Sequence, residues 1–142
     1  MALVMTKKGI EMLLDAWLND NWPVNGKNLT MKLYTNNYTP VETSVPGSFT
    51  EASGGNYAAK TLANGSWTIE TGNTPRDAIY AQQTWTFSGA LDGGATIYGY
   101  FIVDADGNLL WAELLGATMT PASSGDILQV TPRLQGSKGT PT

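Results

Sequence analysis

The stretch "TIYGYFIVDADGNLLWAELL", Thr96 to Leu115, decides the fold. Its first part, Thr96–Val103, is rich in β-branched and aromatic residues and is apolar on both sides. That pattern reads as a central strand, covered on two faces. "LLWAEL" then resumes an alternating apolar pattern. Between them stand Asp104, Ala105, Asp106, Gly107 and Asn108. A few turn residues containing Gly between two strands read as a hairpin. Asp holds such turns by side-chain-to-backbone hydrogen bonds, and Gly107 supplies a positive φ. The same residues place oxygens at positions one, three and five of a calcium loop. That loop also needs Gly at position six and a bidentate Glu at position twelve. Here those positions are Leu109 and Leu115, and no helical pattern enters or leaves. The stretch is read as a structural turn, with no metal site.

Outward from this hairpin the period of two continues. In "LTMKLY", Leu29, Met31 and Leu33 share one face of a strand. "NYAAKTL" and "GSWTIE" are expected to pair as a hairpin across Ala63-Asn64-Gly65, because Asn-Gly is a strong hairpin signal. "QTWTFSG" puts Trp85 and Phe87 on one face and Thr84 and Thr86 on the other. "DILQVTP" supplies a last strand over Ile127–Thr131, stopped by Pro132. Strands this short and frequent, with no helices between them, predict a mainly β fold. The expected architecture is an antiparallel β-sandwich, or open barrel, with one N-terminal α-helix. Within Thr96–Val103, Tyr98 and Tyr100 are expected to share a face opposite Ile97, Phe101 and Val103. That face is a second core layer, a subunit interface or a ligand platform.

The helix is read in "TKKGIEMLLDAWLNDN". Ile10, Leu13, Leu14, Trp17 and Leu18 have the spacing of one helical face. Thr6 is the expected N-cap, and Asn19-Asp20-Asn21 with Pro23 the expected stop, giving a helix over about residues 6–19. Gly9 weakens its first turn by about 1 kcal/mol relative to Ala. The helix is expected to plug one end or side of the sheet; a partner surface is the alternative.

One connection is long. Thr35 to Asn56 contains two Pro and three Gly and one weak strand candidate around Phe49. Loops of this length in compact domains tend to be functional. Val41, Val45 and Phe49 are apolar side chains that a free loop leaves wet, so the segment is read as a contact arm or, alternatively, as a wandering surface loop with one edge strand. The candidate interface residues are Val41, Val45, Phe49, Tyr98 and Tyr100.

The 142 residues fit one domain, residues 1–134, and a mobile tail, residues 135–142. There is no Cys and no His. Disulfides, thiolate chemistry, zinc sites and Ser-His triads lose their usual residues. With 14% charged residues, a net charge of −4 and scattered Lys and Arg, there is no phosphate-backbone footprint. "MALVMTKKG" is too short an apolar stretch for a signal peptide and its charges follow it, so synthesis and assembly in a cytoplasm are expected. No apolar run reaches the length of a membrane span. No two carboxylates are singled out as a catalytic pair, and no nucleotide or hydrolase motif occurs. Neither an enzyme activity nor a cofactor is expected. Trp22, Trp67, Trp85 and Trp111 with the tyrosines are core residues or, alternatively, the lining of a sugar groove.

The order of "LLDAWL", "LYTNNYTP", "YAAKTL", "SWTI", "YAQQTWTFSGAL" and "TIYGYFIVDADGNLLWAELL" resembles small capsid-associated virion proteins of tailed bacteriophages. The resemblance covers about Leu13 to Leu115 and brings no catalytic motif. It implies a decoration or cement protein: a small β domain that binds the assembled capsid surface and strengthens it. The implied partners are the major capsid protein and copies of itself, a homotrimer being favoured, with neither nucleic acid nor membrane. A tail- or fibre-associated module binding host surface glycans is the other function the resemblance admits.

Overall fold

Thr6 starts the helix from the expected position. Its Oγ1 accepts a hydrogen bond from the Gly9 amide at 3.1 Å and donates one to the Leu109 carbonyl at 2.6 Å. One side chain therefore caps α1 (Lys7–Leu18) and ties it to the sheet. The computed structural model describes residues 3–18, 28–70, 72 and 76–136. The expected helix stop at Asn19–Asn21 and Pro23, the period change near Gly26, Trp22 and residues 137–142 of the expected tail lie outside the described residues. Gln135 and Gly136, read as the start of that tail, instead belong to a strand.

The strands are β1 (Val4–Met5), β2 (Leu29–Tyr34), β3 (Lys60–Leu62), β4 (Thr68–Glu70) and β5 (Arg76–Ile79). They continue with β6 (Gln83–Thr86), β7 (Ile97–Val103), β8 (Leu109–Met119), β9 (Ile127–Val130) and β10 (Arg133–Gly136). A five-stranded sheet runs β1-β8-β7-β2-β3, a three-stranded sheet β10-β5-β4, and β6 pairs with β9. All these pairings are antiparallel. The fold is mainly β and sandwich-like, with one helix near the N-terminus. The most apolar segment, β7, is central in the largest sheet and nearly all buried.

The main core lies between layers. Met31, Leu33, Tyr100, Ile102 and Trp111 of the large sheet pack with Trp85, Phe87 and Val130 from the β6–β9 side, and Leu134 of β10 joins them. A second cluster forms on the opposite face of the large sheet, where Tyr34, Phe101, Val103 and Ala112 meet Phe49 of the long connection. Both faces of the central strand are thus buried, which is why its sequence does not alternate.

Three expectations need correction. The Asn64-Gly65 turn is present, with Gly65 at φ +80°, but it does not close a hairpin. β3 pairs with β2, and β4 pairs with β5 in another sheet, so the turn carries the chain from one layer to the next. Tyr98 and Tyr100 do not share an environment. The β7–β8 register jumps from Gly99↔Leu114 to Ile97↔Met119, and alternation breaks there. Tyr100 joins the inter-layer core, while Tyr98 packs against the opposite cluster. The long connection is not a free arm. Phe49 is 7% exposed and stacks on Phe101 at 4.9 Å between ring centroids.

Candidate docking surface

The helix meets the sheet with its small side chains, not its large ones. Gly9 and Ala16 are buried and Met12 is half-buried. The approach is so close that a Cβ at Gly9 would lie 2.2 Å from the Leu110 carbonyl oxygen. Gly9 and Ala16 stand one heptad apart, hence on the same side of the helix. With that side against β8, Ile10, Leu13, Leu14 and Leu18 of the stripe turn outward, and the Trp17 side chain lies outside the described residues. Ile10, Leu13 and Leu14 are about half exposed, Leu14 at 52%, and Leu18 is 73% exposed. The helix does lie against one side of the sheet, as expected, but by its Gly9 side and not by the stripe, whose described side chains are left exposed. Periodicity identifies an apolar face; it does not say which face the sheet takes. The available signal was the pair Gly9 and Ala16, which alone permit backbone contact.

The long connection continues this surface. Lys7 N donates to the Glu42 carbonyl at 2.9 Å, joining helix and loop. Ile10 and Val41 line one shallow groove together with Leu3, Val4 and Met5. Val41 and Val45 are exposed, at 47% and 57%. They are held so by the loop's internal bonds. Ser44 Oγ accepts from Val41 N at 2.9 Å and pairs with Tyr38 OH at 2.9 Å. Asn36 donates to the Ser48 carbonyl at 2.9 Å and accepts from Thr50 N at 2.7 Å. Phe49, Tyr38 and Tyr34 lock the loop base through edge-on ring contacts. Of the five candidate interface residues, Val41 lies beside Ile10 on this surface, and Val45 is exposed on the same loop. Tyr98 is half-buried in the second cluster, and Phe49 and Tyr100 (1% exposed) are spent on the protein's own core. Ile10, Leu13, Leu14 and Leu18 take their place.

On the other flank of α1, a cleft of about 320 Å³ opens between the helix and the β4–β5–β10 sheet. Met12, Leu13, Trp67, Ile69, Trp111 and Leu134 are among its lining residues. Its walls are almost wholly apolar. Trp67 meets Trp111 edge-on at 6.0 Å.

The following polar groups are committed to structure, whereas among the described residues the buried Asp77 Oδ1 and Trp111 Nε1 have no hydrogen-bond partner. Both carboxylate oxygens of Asp104 are taken by the turn it begins. Oδ1 accepts from Asp106 N at 3.0 Å and Asn108 N at 2.7 Å, and Oδ2 from Asn108 Nδ2 at 2.9 Å. Gly107 stands at φ +83°. Tyr100 OH donates to Glu113 at 2.5 Å. Burial first, then the Glu113 carboxylate, push the Tyr100 phenol far above its ordinary range, so it stays a neutral donor. Asp77, itself buried, meets exposed Arg133 at 3.6 Å. Lys32 pairs with Glu51 at 2.9 Å on the sheet surface. None of the described aromatic side chains is exposed, so they form no open platform for stacking a sugar ring. What the surface offers chemically is uncharged apolar area on a rigid helix.

No protein-family model, curated protein or solved structure matches the chain.

Proposed function

We propose that the protein is a non-enzymatic structural component of a phage virion that binds the assembled capsid and stabilises it. The observation that carries this reading is the outward apolar side of α1 at Ile10, Leu13, Leu14 and Leu18, continued by Val41 on a loop that also exposes Val45 and is fixed to the same sheet. A monomer that leaves such a patch open presents it to a partner. Full burial of an aliphatic side chain is worth about 1.5–3 kcal/mol, so each half-exposed one contributes about 1 kcal/mol on contact. Such contacts are weak singly and strong when several copies dock on one lattice. The sequence resemblance points to the same use. Among the described residues the aromatic rings that a glycan-binding module would expose are buried or half-buried, which favours capsid over glycan.

The test is to add purified protein to particles that lack it and count bound copies, with heat tolerance of the particle as second readout. The double variant Val41→Asp, Val45→Asp should lower both. Unchanged occupancy and heat tolerance would remove this surface from the mechanism. Binding to host polysaccharide without binding to particles would replace the capsid reading by the fibre-module one.

A further inference from the structure

We infer that the exposed side of α1 is covered by a second copy of this chain, the two helices packing antiparallel about a two-fold axis, in place of the homotrimer that the resemblance implies. The inference deepens the docking reading: it assigns the helix half of the surface to self-association and leaves Val41 and Val45 for the lattice. Two observations carry it. The first is charge. Lys7 and Lys8 form the first turn, and no acidic residue stands there. The N-terminal end of a helix carries partial positive charge, so cations there are misplaced for an isolated helix. Lys8 is offset by Glu11 at 3.6 Å, but Lys7 has no ion-pair partner among the described residues. Lys7 borders the stripe, next to Ile10 and Leu14 on the helical wheel. An antiparallel copy would set its own carbonyl-rich helix end, near Leu18, opposite Lys7, and by symmetry receive the same contact. The stripe itself carries no charge, so such pairing leaves no charge buried.

The second observation is area. The exposed parts of Ile10, Leu13, Leu14 and Leu18 amount to roughly 400 Å². Doubled and extended by the flanking residues, the interface approaches about 1,000 Å², the lower limit of specific association. The pairing is therefore reversible and concentration-dependent. The helix is already rigid, held by its Thr6 cap and the Gly9 contact, so little ordering entropy opposes it.

Sedimentation velocity on the full chain over a concentration series up to about 1 mM tests this. The wild type should pass from monomer to dimer. Leu14→Glu with Leu18→Glu should raise the dissociation constant at least tenfold, and Val41→Asp with Val45→Asp should leave it unchanged. Lys7→Glu, a surface change that does not threaten folding, should weaken the dimer and do so less at high salt. Because the chain has no Cys, Leu14→Cys should give a cross-linked dimer with a short bis-maleimide, while Ile127→Cys, exposed on β9, should not. A monomer throughout, a trimer, or a dimer indifferent to Leu14→Glu with Leu18→Glu would overturn the pairing. A strict monomer that still loads onto particles would overturn it and leave the capsid reading standing.

Discussion

Replacing Gly9 by Ala sets two effects of opposite sign against each other. In a free helix the change is favourable by about 1 kcal/mol. Here the new methyl would meet the Leu110 oxygen at 2.2 Å, its carbonyl carbon at 2.9 Å and its Cα at 3.0 Å. All three are backbone atoms of β8, so no rotamer change relieves the clash. Ordinary contact would require α1 to retreat from the strand by about 1 Å. That retreat stretches the hydrogen bonds from Thr6 Oγ1 to Leu109 O at 2.6 Å and from Thr6 N to Leu110 O at 3.0 Å. Overpacking costs about 1–3 kcal/mol. The two weakened bonds add about 1 kcal/mol each. Less the propensity gain, the expected net loss is about 2–4 kcal/mol. For a chain of this length that lowers Tm by roughly 7–13 °C. Urea and thermal unfolding followed by circular dichroism measure it directly. Gly47→Ala is the control: its Cβ would meet nothing within 4 Å, and its stability should change by less than about 0.5 kcal/mol. A Gly9→Ala protein as stable as wild type or more so would refute the close packing of helix on strand, and with it the outward orientation of the stripe.

Asp104→Ala strips two backbone amides and the Asn108 side chain of their acceptor and should cost about 1–3 kcal/mol in urea unfolding, with calcium unable to restore it in either protein. The pH dependence has a defined sign. Burial raises the Tyr34 phenol to about 12, and burial also raises Tyr57 and Tyr100 above their ordinary value. A raised phenol pKa means the unfolded chain ionises first, so stability is complete below about pH 10 and falls as pH climbs toward 12. Unfolding melts from pH 8 to 12 should decline only above pH 10, with tyrosinate absorbance appearing late and cooperatively; early, independent ionisation of these phenols would contradict their burial.

Local chemistry was legible wherever it is self-contained. Thr6 caps because its hydroxyl lies three residues before a free amide. Asp104 turns the chain because its carboxylate reaches the next amides. "TIYGYFIV" is central because apolar residues on both sides of a strand need two covers. What stayed hidden depends on distant partners. Asn64-Gly65 specifies a turn but not whether the strands beside it pair, and here they enter different layers. Phe49 sits in a segment with no period, so nothing local shows that it lies on Phe101. β1, β5 and β10 are too short for alternation to register. The helix stripe was visible as a stripe, but its direction was set by Gly9 and Ala16, whose smallness counts only once β8 is in place.

The pairing of Val4 with Ala112 has a consequence for synthesis. The partner strand of the N-terminal segment is β8, roughly a hundred residues downstream. At about 5–20 residues per second, the ribosome takes on the order of 5–20 s to supply it. Throughout that interval Thr6 lacks the Leu109 carbonyl, Gly9 has no strand to rest on, and both flanks of the nascent helix are bare. Residues translated about a hundred positions before their partner strand are thus among the last to find their place. A growing chain that must wait in this way is exposed to premature aggregation, and its yield should respond to chaperone supply and growth temperature more than the stability of the finished fold would suggest.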